Sequence, residues 1–286
     1  MAREVVAVFP SPAPHWVGDG FPARTLFSYD RLGRVVSPFL LLDYAGPAEF
    51  PVGSQQRGVG EHPHRGFETV TLVYEGEVSH RDTSGSGGTI GPGGVQWMTA
   101  GRGVMHEELH SDSFTRTGGR FKLAQLWVNL PAAHKMTAPR YQGIEAAAIP
   151  VVELPEGAGR LRVIAGKYGT QTGPASTFTE LNVWDARLTA GTLTLPVPDG
   201  HNAIIAVLEG AITLASGEQL GDGACAIYST AGGAIELTVR EPSTLLVMTG
   251  VPIDEPIFGY GPFVMNSREE IVAAFDDVNA GRFGHL

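Results

Sequence analysis

His62-Pro63-His64-Arg65-Gly66-Phe67-Glu68-Thr69-Val70-Thr71-Leu72-Val73-Tyr74-Glu75-Gly76 is the stretch on which the fold turns. Thr69 to Tyr74 are β-branched or aromatic with one exception, and Glu75-Gly76 closes them with a turn signal, so the segment predicts a strand. A second such segment, Val95-Gln96-Trp97-Met98-Thr99, follows the turn Gly91-Pro92-Gly93-Gly94 and leads to His106-Glu107-Glu108. Side chains two apart on a strand share a face. His62 and His64 therefore look into one space, and His106 and Glu108 look in from another strand, which reads as a mononuclear metal site. If the strand ran unbroken, the even-numbered residues from His62 through Glu68, Val70 and Leu72 to Tyr74 would line the barrel interior, unless Gly66 bulges and breaks the parity.

Composition agrees with an all-β chain. Its 286 residues are 43% hydrophobic, and 38 Gly with 20 Pro make up about a fifth of the chain, well above the usual share of roughly 12%. Many short strands joined by tight turns fit this better than long helices. A net charge of −10 without a basic run excludes a phosphate-backbone footprint, so direct nucleic-acid binding is not expected. Cys225 is the single cysteine, which leaves neither a disulfide nor a thiolate cluster. The longest apolar runs, residues 39–42 and 203–208, fall far short of the ~20 residues of a membrane span, and the N-terminus lacks a signal-peptide pattern. A cytoplasmic protein with no membrane partner is expected.

The same plan occurs twice. Glu75-Gly76 lies over Glu209-Gly210, Ile90-Gly91-Pro92-Gly93 over Leu220-Gly221-Asp222-Gly223, and Trp97-Met98-Thr99 over Ile227-Tyr228-Ser229, predicting two related β-barrels. In this overlay His62 and His64 fall opposite Pro196 and Pro198, and His106 and Glu108 opposite Glu236 and Thr238, so one metal is assigned to the first barrel and none to the second. The boundary falls between Pro131 and Gly159 and is set here at 135/136, giving domains 1–135 and 136–286. Ser267 with Glu270, or Asn266 with Glu269, offers a capping box. Ile271, Ala274, Phe275 and Val278 form the apolar stripe of a docking helix at about 267–279.

The motifs His62-Pro63-His64-Arg65-Gly66-Phe67-Glu68-Thr69, Gln96 to Gly103, His106-x-Glu108, Leu126-Trp127-Val128-Asn129-Leu130 and Gly261 to Asn266 resemble the pirin family. That resemblance implies two tandem cupin barrels, of the double-stranded β-helix or jelly-roll type, with a short C-terminal helix. It also implies iron in the N-terminal barrel, held by His62, His64, His106 and Glu108, and a metal-free second barrel. Glu68 occupies the glutamate position of the first general cupin motif, so two carboxylates compete for one ligand slot; the resemblance favours Glu108 and leaves Glu68 to the pocket. Pirins divide into quercetin 2,3-dioxygenase-like enzymes, using an aromatic substrate and O₂, and iron-dependent redox-responsive regulators acting through a protein partner.

The first role implies opening of a flavonol heterocycle with release of CO, with Glu108 as the catalytic base. Phe67, Glu68, Trp97, Met98 and Met105 are the candidate pocket. Fe(II) is the favoured ion, and Mn, Ni, Cu and Zn suit the same donors. His15, His80, His110, His134, His201 and His285 are assigned ordinary surface or hydrogen-bonding roles. Arg65 and Arg102 could bind an anionic substrate, but each sits beside glycine in a turn and reads equally as a solvated loop residue, so both are left out of the catalytic set; Trp127 reads as core and Cys225 as a buried small hydrophobe.

Overall fold

A computed structural model describes residues 2–286. The chain forms two compact units: one contains residues 14–25, 40–146 and 254–286, the other residues up to Ala13 with 26–39 and 147–253. A single cut at 135/136 does not separate them. Strand Val5–Phe9 pairs with Cys225–Tyr228, and helix Arg268–Asn279 packs its buried Ile271 and Ala274 with Phe263, Met265 and Met105. Both chain ends are thus claimed by the barrel whose apolar surface they cover. This differs from a linear division of domains.

The unit carrying the histidine motifs is a β-sandwich. Its larger sheet has seven strands in the order Arg140–Ile144, Val95–Thr99, Phe67–Glu75, Gly119–Asn129, Phe39–Phe50, Phe21–Ser28 and His15–Val17. The smaller has four: Gly58–His64, Val104–His110, Val78–Asp82 and Gly87–Ile90. Phe21, Phe50, Phe114, Phe121, Val73, Val78, Ile90 and Leu123 form an aromatic-rich core, and His110 inserts among the phenyl rings, 4.5 Å from Phe50 between centroids.

The motif strand is not continuous. Gly58–His64 lies in the four-stranded sheet and Phe67–Glu75 in the seven-stranded one, with Gly66 turning between them at φ 89°. The parity is therefore broken: odd-numbered Thr71, not its even neighbours, shares a cavity with His62 and His64, and odd-numbered Val73 joins the core.

The second unit repeats the plan with a seven-stranded sheet from Val5–Phe9 to Val151–Glu153 and a four-stranded sheet of Gly191–Pro196, Ala234–Val239, Ile212–Leu214 and Gln219–Leu220. Gly76 and Gly210, the overlaid landmarks, both adopt positive φ, 83° and 89°, a conformation glycine reaches without a Cβ clash. The inward positions of Gly191–Pro196 and Ala234–Val239 are Leu193, Leu195, Ile235, Leu237 and Val239, all buried in one aliphatic core, whereas Pro196 and Glu236 are exposed.

Helix Arg268–Asn279 starts as its sequence dictates. The Ser267 side chain accepts from the Glu270 backbone N–H while the Glu270 carboxylate accepts from the Ser267 N–H, which satisfies two donors otherwise left free at a helix start.

Candidate metal centre

The register of the four-stranded sheet builds the site. His106 lies directly across from His62, and Val104 across from His64; directly opposed residues share a face. Burial along Val104–His110 alternates, with Val104, His106, Glu108 and His110 inward. His62, His64 and His106 come together with one donor nitrogen from each within 4.8 Å of the others, and their ring centroids lie 4.2–4.9 Å apart. His64 and His106 are buried and His62 is half-buried.

Each ring is aimed by its Nδ1. A carbonyl oxygen can only accept, so His62 Nδ1–H donates to Gly60 O at 2.7 Å and His64 Nδ1–H to Pro262 O at 3.2 Å. Nε2 is left bare on both. His106 Nδ1 meets His80 Nδ1 at 3.3 Å, and its Nε2 is buried without a hydrogen-bond partner. An orphaned buried nitrogen costs free energy in the apo state; facing two other imidazoles, it fits a cation. Burial, with the neighbouring His62, pulls the His64 imidazolium down to about 3 despite the opposing Pro262 carbonyl. Burial and the charges of His64, His62 and His80 hold His106 well below the usual histidine range. Both rings therefore stay neutral, the form in which imidazole ligates a metal.

Glu108 is inward-facing and buried, but its carboxylate is not one of the three converging groups. The pairing with Gly58–His64 shifts register between His106 and Glu108, so Glu108 lies across from Val59 and not from a histidine. Oε1 accepts from the Thr71 hydroxyl at 3.0 Å and from Gln96 Nε2, and Oε2 from Gln125 Nε2 at 2.6 Å. The Tyr141 hydroxyl lies 3.4 Å from Gln96 Oε1, fixing which end of that amide faces Glu108. None of Thr71, Gln96 or Gln125 stands out in the sequence, because a lone amide on a strand carries no motif.

His62, His64, Glu108, Thr71 and Gln125 open onto a cavity of about 180 Å³ whose other walls include Val17, Phe21, Val59, Leu123 and Trp127. The five residues expected to form the pocket do not line it. Phe67 packs behind His64 and on Trp127, with centroids 5.0 and 4.4 Å away. Glu68 and Trp97 lie on the strand faces opposite Thr71 and Gln96, and Glu68 accepts the Thr99 hydroxyl at 2.6 Å. Met98 clusters with Ala100 and Val104, and Met105 packs under the C-terminal helix. The broken parity at Gly66 accounts for the displacement of Glu68. Trp127, read as core from the sequence, is a cavity wall.

His80 takes the hydrogen-bonding form of its expected role, and one other reading changes. His80 is buried, bonded and stacked on Tyr141 with an interplanar angle of 12°. Arg65 is also buried: its guanidinium donates to Asp277 and to the Arg102 carbonyl and lies over Phe283.

Paired barrels of this kind, one with a histidine cluster opening on an apolar cavity and the other filled with aliphatic side chains, define a bicupin with a metal-type centre. The Pirin family model matches residues 20–128 and the Pirin C-terminal cupin domain model residues 183–284. The chain belongs to the pirin family. It is 55% identical over 283 residues, 98% of each chain, to a Pseudomonas aeruginosa protein provisionally named a quercetin 2,3-dioxygenase. It is 40% identical to a pirin-like protein of Caulobacter vibrioides over 87% of this chain and 88% of that one. The crystal structure of quercetin 2,3-dioxygenase from Acinetobacter baumannii superposes with a TM-score of 0.97 at 53% identity over 99% of both chains. A bacterial pirin from Escherichia coli in complex with nickel(II) shares the fold, with a TM-score of 0.65 at 20% identity over 86% of this chain and all of that one.

Proposed function

We propose that the first barrel is a mononuclear metal oxygenase centre acting on a flavonol such as quercetin. The observation carrying this reading is the set of three converging imidazoles, two with Nδ1 held by backbone carbonyls and the third with Nε2 buried and unpartnered, beside an apolar cavity. His62, His64 and His106 would hold the ion with Glu108 as fourth ligand; iron(II) is the ion we favour. A bound ion supplies Lewis acidity toward a substrate hydroxyl and a redox route to dioxygen.

The protein's own contribution is to receive, orient and enclose. Glu108 Oε2 takes a single hydrogen bond, from Gln125, and so retains capacity to accept the flavonol 3-hydroxyl proton. Trp127, Phe21 and Val17 offer apolar walls for a flat ring. The cavity is smaller than the roughly 300–1,000 Å³ that usually encloses a ligand, so a flavonol would keep part of its skeleton at the mouth. The net reaction incorporates both atoms of O₂, opens the heterocycle to a depside and expels one ring carbon as CO. We place the protein in the cytoplasm; among the described residues no helix is long and apolar enough to cross a membrane.

Loss of flavonol absorbance, oxygen uptake and CO are measured together on protein loaded with iron, manganese, nickel or copper. Turnover with at least one ion is expected, and His64→Ala should abolish both metal and turnover. Glu108→Gln should retain metal in part and turn over more slowly. No turnover with any ion would sink the enzyme reading and leave the redox-responsive regulator in its place.

A further inference from the structure

We propose that His80 and Asp82 are positioning residues that lock His106 in the Nδ1–H tautomer, keeping its Nε2 bare for a metal. The inference rests on the reading of His106 as a ligand, and it concerns a hydrogen-bonded chain one step behind the three histidines.

His80 and Asp82 lie two apart on strand Val78–Asp82, whose burial alternates so that both point inward. Val104–His110 pairs with this strand, His106 across from Asp82 and Glu108 across from His80. His80 Nε2 lies 3.0 Å from Asp82 Oδ2. A carboxylate only accepts, so the proton sits on His80 Nε2. In the neutral ring this makes His80 Nδ1 an acceptor, and the group it meets is His106 Nδ1 at 3.3 Å. His106 must therefore carry its proton on Nδ1, away from His62 and His64. Tyr141, stacked on His80, holds the plane of the relay ring.

Asp82 is itself anchored. Its other oxygen, Oδ1, accepts from the Ser84 backbone N–H at 2.8 Å, the Ser84 hydroxyl at 2.6 Å and the Ser86 N–H at 3.2 Å. These three donors specify what an amide would do in its place. In Asp82→Asn the amide oxygen would stay with the serine donors and the NH₂ would face His80 Nε2. That reverses the chain: His80 would carry its proton on Nδ1 and donate to His106 Nδ1, pushing the His106 proton to Nε2, where a cation must bind. The same logic makes the buried aspartate of a catalytic triad a setter of tautomers. Carboxylate and carbonyl partners of ligating histidines commonly affect metal affinity 10–100-fold.

The experiment is a long-range ¹H–¹⁵N imidazole spectrum of the metal-free protein at neutral pH, with His106 assigned by a His106→Gln variant. Metal affinity is measured in parallel by chelator competition with Ni(II) and Fe(II). The wild type should show His106 protonated at Nδ1 and bare at Nε2. Asp82→Asn should reverse that pattern and lose about 10–100-fold in affinity. His80→Phe, which keeps a ring but no acceptor, should lose affinity similarly, while His80→Gln, whose amide oxygen restores the acceptor, should recover it.

A wild-type His106 protonated at Nε2 overturns the proposal outright, even if the His80→Phe protein does not fold. Wild-type affinity in Asp82→Asn, or equal losses in His80→Gln and His80→Phe, also overturns it, the latter by reducing His80 to a packing role. Failure of the wild type to bind any ion with the expected tautomer intact would instead defeat the metal reading and leave the tautomer lock standing.

Discussion

Glu68 shows how far a side chain's face decides its chemistry. The motif offers it as a rival to Glu108, yet it projects from the opposite side of its strand, buried, with the Thr99 hydroxyl as its partner. Burial pushes its carboxyl up to about 7, only partly offset by hydrogen bonding and by Arg140. A carboxyl raised in the folded state contributes stability fully present below its unfolded pKa and lost as pH rises through the folded one. The window here runs from about 4.5 to about 7, and a shift of this size is worth on the order of 3 kcal/mol. Glu68→Gln removes the titration and keeps an acceptor for Thr99. In urea unfolding of the metal-free protein, the variant should gain on the wild type steadily between pH 4.5 and 7 and hold a constant lead above. A lead that does not vary with pH would mean that Glu68 is not titrating there. His62, His64 and His106 were legible from spacing, because i, i+2 on a strand is a rule of backbone geometry; His80 and Asp82 obey the same rule, and only their lack of a second recognisable partner in the sequence concealed them.

Elements explain why the cluster is where it is and why the expected pocket is not. Gly66 separates the histidine strand from Phe67–Glu75 and sends them to different sheets, a break that the glycine signals in the sequence but the alternation of apolar residues does not, since it reads continuously across a turn. The same residue fits under the hairpin of Phe258–Tyr260 and Phe263–Met265: a Cβ at Gly66 would come 2.0 Å from the Val264 carbonyl oxygen and 2.6 Å from Met265 Sδ. Lys135 clamps this junction. Its buried ammonium donates to the Gly66 and Val264 carbonyls and to Asn129, and burial brings it down to about 7. Pro262, in the hairpin's turn, is the residue whose carbonyl orients His64. Gly66→Ala therefore combines a strained positive φ with backbone overlap, together about 3 kcal/mol or more, and should displace the hairpin from His64. We expect a lower denaturant midpoint with an unchanged m-value and weaker metal binding. Native stability with native affinity would show that the hairpin moves freely and does not aim the ligand.

Across the whole molecule, one strand plan is used twice with different interiors. The repeat was readable because turn glycines such as Gly76 and Gly210 meet the same backbone demand in both halves. The division of the chain was not, because which barrel claims a terminal strand or helix depends on apolar faces that meet only after folding. In the second barrel the inward positions of the corresponding strands carry Leu193, Leu195, Ile235 and Leu237, side chains that have no donor atom for an ion. Metal should therefore stabilise one barrel's openings and not the other's. At a free concentration 100-fold above Kd, an ion that binds only the closed state adds about 2.7 kcal/mol, which slows exchange through that opening about 100-fold. Hydrogen exchange with and without Ni(II) should show this gain at Gly58–His64, Val78–Asp82 and Val104–His110, for amides that exchange by sub-global opening. Amides of Gly191–Pro196 and Ala234–Val239 should be unchanged. Equal protection in both sets would mean either that the ion is not confined to the histidine cluster or that the barrels open as a unit, and either result would overturn the assignment of independent roles to the two interiors.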